Sequence, residues 1–211
     1  MTSFTKDSDS QELFWQGDFG DEYTSRSQGL ALIRSNEALF TRVIAAMDSP
    51  PLSVLEFGAN RGLNLVALQR LLPVGKFTGL EINDKAFASL ALLEGIQAIH
   101  GSIYDFSSTE TFDLVFTKGV LIHLNPERLA EVYSKLVACS SKYILLAEYY
   151  NPAPVEVPYR NHHGKLFKRD FAGEMLDRYP SLSLVDYGFC YHRDPVAPQD
   201  DITWFLLRKG S

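Results

Sequence analysis

Val54-Leu55-Glu56-Phe57-Gly58-Ala59-Asn60-Arg61-Gly62 is an apolar run that stops on a glycine and passes at once into a helical pattern. The stretch SVLEFG has the length and burial-prone composition of an inner strand, and Leu63 to Leu72 reads as a helix stopped by Pro73. Gly58 and Gly62 permit a tight turn between them, which lets the backbone approach a ligand lying across the carboxyl ends of the strands. KFTGLEI then supplies a second strand, so the stretch opens a βαβ unit.

The same alternation continues downstream. A helix is expected near Asp84 to Leu93, a short strand near Gln97 to His100, the strand FDLVFT, a helix opening at Asn125 with Pro126 in its first position, and the strand KYILLAEYY. Strands alternating with helices predict an α/β, Rossmann-like, doubly wound sheet that is mostly parallel. After a helix near Arg169 to Tyr179, LSLVDYGFCYHRD and DITWFLLRK have no helix between them and should pair antiparallel. Upstream, MTSFTKDSDSQE reads as disordered, FWQGDFGDEY as an ordered helical lid, and Ser27 to Met47 as a helix. Residues 1–50 are thus expected as a lid and helix packed on the domain formed by 51–211.

With 211 residues and a formal charge of −6, the chain can bury a core unaided and lacks the clustered cations that phosphate-backbone binding needs. Nucleic acid is therefore not an expected partner. Two cysteines, Cys139 and Cys190, are too few for a disulfide scaffold and show no metal-ligand spacing. No run is long enough to span a bilayer and the first residues lack a signal-peptide pattern, so the expected location is the cytoplasm, without a membrane partner.

The cofactor expectation rests on two features together. Glu81 closes the second strand at the distance where a carboxylate can accept hydrogen bonds from both hydroxyls of a ribose. The glycine spacing, Gly58-x-x-x-Gly62 with Asn60 in the middle, departs from the G-x-G-x-x-G turn that seats a pyrophosphate. Glu56 adds negative charge that would repel a pyrophosphate and tolerate a sulfonium or ammonium. S-adenosylmethionine (SAM) is favoured over NAD on these grounds.

LEFGANRG, LEIND, GSIYDF and FDLVFTKGVLIHL resemble, in order, the motifs of class I SAM-dependent methyltransferases. The flanks FWQGDFGDEYTSRS, AEYYNPAPVEVPYR and KLFKRDFAGEML resemble the methylases associated with pseudaminic acid biosynthesis. The resemblance implies that Gly58, Ala59 and Gly62 line the methionine and ribose portion and that Glu81 holds the ribose. It also implies that Ser102 and Ile103 flank the adenine, and that Thr117, Lys118 and Gly119 pass beneath the methionine end. Ile82 joins these either as an adenine contact or as core. Where this chain has Ser102 the family often has an aspartate, so a backbone contact or Asp105 is the alternative partner for the adenine amino group.

Methyl transfer from a sulfonium needs alignment, desolvation and, for a protonated nucleophile, a base. His123, after the fourth strand, reads as that base, with helix capping or packing as the alternative. Glu148, Tyr149 and Tyr150 end the fifth strand, where a carboxylate could orient an amine and phenols could ring a cation. Arg160, His162, His163 and Lys165 concentrate cationic groups that suit a carboxylate or phosphate on the acceptor, against the reading of a solvated basic loop. His162 and His163 lack a third ligand, so no metal is expected. Tyr23 and Arg26 are read as closing over the methionine end, with Arg26 on its carboxylate. The implied acceptor is an N or O atom of a small polar metabolite, such as an amino sugar or nucleotide-activated sugar. A non-catalytic SAM-binding partner subunit and an NAD-dependent oxidoreductase are the other readings. Oligomeric state leaves no mark in the sequence.

Overall fold

The computed structural model describes residues 10–26, 29–160 and 162–210, and the side chains of these apart from Tyr23, Ser25 and Arg26. The polar start read as disordered therefore lies, up to residue 9, outside the described residues. Helix α1 (Ser10–Gln16) and α2 (Asp18–Arg26) precede α3 (Leu30–Ala45). Then come β1 (Ser53–Phe57), α4 (Leu63–Leu71), β2 (Lys76–Glu81), α5 (Asp84–Leu90), β3 (Ile96–His100) and β4 (Phe112–Lys118). Two 3₁₀ turns (Leu121–His123 and Pro126–Arg128) lead into α6 (Leu129–Cys139) and β5 (Ser140–Glu148). The rest is β6 (Val155–Glu156), β7 (Phe167–Lys168), α7 (Phe171–Arg178), β8 (Leu182–Cys190) and β9 (Ile202–Lys209).

Seven strands form one sheet in the order β3-β2-β1-β4-β5-β9-β8, and the small β6-β7 pair stands apart. β1 to β5 run parallel, while β9 is antiparallel to both β5 and β8. This is the expected Rossmann-like, mostly parallel sheet with an antiparallel C-terminal strand. The central strands β1, β4 and β5 are apolar on both sides because helices cover both faces. One layer joins α3, α4 and α5 to Val54, Leu114, Phe116 and Leu145. The other joins α6 and α7 to Leu55, Phe57, Val115 and Leu146.

Differences from the sequence reading fall at element ends. Pro126 opens a 3₁₀ turn rather than an α-helix, with Asn125 Oδ1 accepting the Glu127 N–H at 3.0 Å, and α6 starts only at Leu129. The segment carrying the cationic groups Arg160 to Lys165 is bracketed by the β6-β7 ribbon. The lid segment is two helices that pack through aromatic rings, Phe14 stacking on Phe19 at 4.3 Å and Trp15 edge-on to Phe19 at 5.4 Å. Among the described residues no helix is long and apolar enough to cross a membrane.

Candidate active site

The turn after β1 is built on positive φ at three alternate positions: Gly58 at 71°, Asn60 at 48° and Gly62 at 78°. Asparagine is among the few side chains that enter this region at low cost, so Asn60 does here what a middle glycine would do. Gly58 has a second reason to lack a side chain, since a Cβ would sit 2.6 Å from a Val120 methyl. The turn is stitched to β2, with the Gly58 and Ala59 N–H groups donating to the Leu80 carbonyl at 2.9 and 3.0 Å.

Glu81 ends β2 directly beside that turn. Its Oε2 accepts the Asn60 N–H at 2.7 Å, and its Oε1 accepts the N–H groups of Ile82 and Asn83 at 2.9 and 2.8 Å. Burial pushes its pKa up in spite of these three amides. Three of about four lone-pair positions are used, which leaves Oε2 one acceptor site for a ligand. Asn60 Oδ1 is buried and without a partner among the described residues.

These groups border one partly open cavity. It opens above the carboxyl ends of β1, β2 and β4, the position of ligand crevices in sheets of this winding. Of the residues singled out in the sequence, the wall contains Gly58, Ala59, Asn60, Glu81, Ile82, Ser102, Ile103, Lys118, Gly119 and His123. It also contains residues that the sequence reading did not name for the site: Gln11, Glu12, Thr24, Asn36, Arg61, Asn83 and Val120.

The roof over the cavity is α1 and α2, and Trp15 lines it. Asn83 anchors it. Its Oδ1 caps α5 by accepting the Ala86 N–H at 2.9 Å, while its Nδ2 donates to the Trp15 carbonyl at 3.2 Å and to Asp21 Oδ1 at 3.0 Å. The approach is close enough to require Gly20, where a Cβ would fall 1.9 Å from the Trp15 carbonyl oxygen. Asp21 also pairs with Lys85. On the other flank Gln11 Nε2 donates to the Gly164 carbonyl, and Lys165 Nζ donates to the Ser10 carbonyl at 3.1 Å. Ser102 donates to Glu12, so this serine is engaged by the roof. Asp105, the alternative partner, is exposed and off the wall.

His123 sits where floor and roof meet, between Trp15 (centroids 4.4 Å apart) and Tyr159 (5.0 Å). Its Nδ1 lies 2.8 Å from the Lys165 carbonyl oxygen. A carbonyl can only accept, so Nδ1 carries the proton and Nε2 keeps a lone pair. Burial lowers its pKa to about 4, which makes it neutral near pH 7.

Several expectations are corrected. Glu56 does not offer charge to the cavity: it lies beneath the turn, Asn64 Nδ2 donates to it at 2.6 Å, and burial pushes its pKa up to about 8. Glu148 is not at the wall either. It is buried, its carboxylate collects the N–H groups of Val120, Leu121 and Ile122 at 3.0 to 3.5 Å, and its pKa rises to about 7 through burial. Glu148 thus shapes the loop after β4. Gly62 and the buried Thr117 also lie behind the wall. Tyr149 has Lys168 Nζ over its ring at 5.1 Å, and the exposed Tyr150 packs against Phe205. Arg160 and His163 are exposed, and His162 packs edge-on against Phe14 at 5.1 Å, clamping the outside of the roof. None of these five borders the cavity. The side chains of Tyr23 and Arg26 lie outside what the structure describes. Among the described residues no cluster of three or more metal-ligating side chains occurs.

Comparison with solved structures places this architecture. The plantazolicin methyltransferase BpumL in complex with SAH has a TM-score of 0.68 at 15% identity, covering 95% of this chain and 94% of that one. Magnesium protoporphyrin IX methyltransferase from Synechocystis PCC 6803 with bound SAH has 0.68 at 13%, covering 94% and 97%. The Burkholderia thailandensis 1,6-didemethyltoxoflavin-N1-methyltransferase, with its substrate and S-adenosylhomocysteine, has 0.67 at 15%, covering 94% and 85%. The chain has the fold of these methyltransferases. No family model matches the sequence, and no curated protein does.

Proposed function

We propose that the protein is a SAM-dependent methyltransferase that acts on an N or O atom of a small polar metabolite. The observation that carries this reading is the single cavity shared by the Gly58–Asn60 turn, the Glu81 carboxylate and the loop after β4, roofed by Trp15. Its donor set fits SAM: Glu81 Oε2 retains an acceptor position for a ribose hydroxyl, and Ile82, Ile103 and Leu124 offer an apolar slot for adenine. The unpartnered Asn60 Oδ1 can accept from an ammonium. When bound, SAM supplies an electrophilic methyl group. The chain itself aligns the acceptor, excludes water through the α1–α2 roof, and offers His123 Nε2 to take a proton. Solved structures of this fold hold S-adenosylhomocysteine and carry names of small-molecule methyltransferases. The motif resemblance narrows the acceptor to an amino sugar or nucleotide-activated sugar, and residues 1–50 act as lid and helix on the catalytic domain.

Calorimetry tests the cofactor. SAM and S-adenosylhomocysteine should bind in the roughly micromolar range, near −8 kcal/mol, and NAD should not bind. NAD binding without a SAM signal would reverse the assignment. Incubation of a metabolite extract with methyl-labelled SAM, followed by mass spectrometry, identifies the acceptor.

A further inference from the structure

Lys118 and Asn36 both line the cavity, and the elements that carry them place them on one side of it. Lys118 closes β4 and, because side chains alternate along a strand, faces the same layer as Phe116. Phe116 packs edge-on against Phe40 of α3, with centroids 5.5 Å apart. Asn36 lies one helical turn before Phe40 on the same helix face, so it stands toward Lys118 as Phe40 stands toward Phe116. Both residues line the cavity.

Neither group spends its donor capacity. The Lys118 side chain makes no hydrogen bond or ion pair with the described residues. Gln199 Nε2 donates to Asn36 Oδ1 at 3.0 Å, which orients the amide and leaves Nδ2 without a partner among the described residues. Burial holds the lysine pKa below its ordinary value, while Glu56, Asp200, Cys190 and Glu148 are the titratable groups near enough to pull it back up. Burial raises the pKa of Glu56 as it lowers that of the lysine, and the two buried groups face each other without a hydrogen bond between them. A lysine amine and an amide N–H on the wall of one partly desolvated cavity, both without partners among the described residues, match a carboxylate or phosphate oxygen pair.

We infer that Lys118 Nζ and Asn36 Nδ2 form an anion-recognising subsite for a carboxylate or phosphate. The inference rests on the methyltransferase reading, under which the anion belongs either to the amino-acid end of the cofactor or to the acceptor. Calorimetry on wild type, Lys118→Met and the isosteric Asn36→Asp separates these sources. Lys118→Arg, which keeps the charge, serves as the folding reference beside circular dichroism.

The first probe pair is S-adenosylhomocysteine and its decarboxylated analogue. If wild type prefers the carboxylate form by about tenfold or more and both variants lose that preference, the subsite holds the cofactor's carboxylate. If the preference survives, protein saturated with S-adenosylhomocysteine is titrated with acetate and with inorganic phosphate. Roughly millimolar binding to wild type that both variants lose assigns the subsite to an anionic acceptor. Unchanged cofactor preference, together with anion binding no tighter in wild type than in Lys118→Met, overturns the inference. Folded wild type that binds no S-adenosylhomocysteine instead removes the methyltransferase reading, and the same anion titrations on the free protein then decide the subsite by itself.

Discussion

The cavity has a floor and a roof made by opposite means. The floor consists of backbone loops gripped by buried carboxylates: Glu81 takes three amides around the turn after β1, and Glu148 takes three from the loop after β4. The roof, α1 and α2, rests on a few polar links between residues far apart in the chain, such as Asn83 to the Trp15 carbonyl and Lys165 to the Ser10 carbonyl. A floor of this kind is formed before a ligand arrives, because losing either carboxylate strands several N–H groups in the interior. A roof held by exposed or half-buried polar links can lift at modest cost and close again. Floor changes should therefore damage fold and binding together, and roof changes binding alone.

The largest expected effect is at the floor. Glu81→Ala strands the Asn60, Ile82 and Asn83 N–H groups, and should lower stability by about 3 kcal/mol while weakening S-adenosylhomocysteine binding by about 2 kcal/mol. Unchanged denaturant midpoint and affinity would remove Glu81 from both roles. Next, His123 tests the seam. Its folded pKa, about 4, lies below the ordinary 6.5, so the stability tied to its neutral form is complete above 6.5 and is lost as pH falls toward 4. Relative to His123→Gln, wild type should lose about 2 kcal/mol between pH 7 and pH 5. A chain starting at residue 27 should return the His123 titration toward 6.5, since Trp15 no longer covers it.

That shortened chain is also the test of the roof as a lid. It should melt close to the full chain and bind S-adenosylhomocysteine roughly 30-fold more weakly, the worth of about 2 kcal/mol of buried aromatic surface. Unfolding would show that α1 and α2 belong to the core, and full affinity would show that they do not cover the site. The smallest effect is expected for Asn83→Ala, about 1 kcal/mol from the lost cap of α5, with faster ligand release as the roof loosens. Stopped-flow displacement measures the release rate.

The sheet was legible because alternation of apolar strands and periodic helices is a local signal, and β1, β2 and β4 begin and end within a residue or two of where their patterns do. The turn after β1 was legible only in part. Counting glycines makes Asn60 look like a departure, whereas the backbone asks for positive φ, which asparagine also supplies. Asn83 carried a signal that the reading passed over, an asparagine directly before Asp84 at a helix start. Asn36 carried none, because its partner Gln199 is 163 residues away. Glu148 misled for the opposite reason: a carboxylate at a strand end looks like chemistry, and its partners are amides that no side-chain pattern reveals.

The placement of the roof's anchors also orders events during synthesis. α1 and α2 are short, seven and nine residues, too short to persist as helices in water on their own. Their moorings are Asn83 and, much later in the chain, Gly164 and Lys165. At a ribosome making about 5–20 residues per second, the roof emerges before its later moorings and must wait roughly 8–30 seconds for Lys165, 155 residues after Ser10. The nascent chain therefore holds its cleft open until the sheet that floors it is nearly complete, and the aromatic rings of Phe14, Trp15 and Phe19 are the surface that a chaperone would meet during that wait.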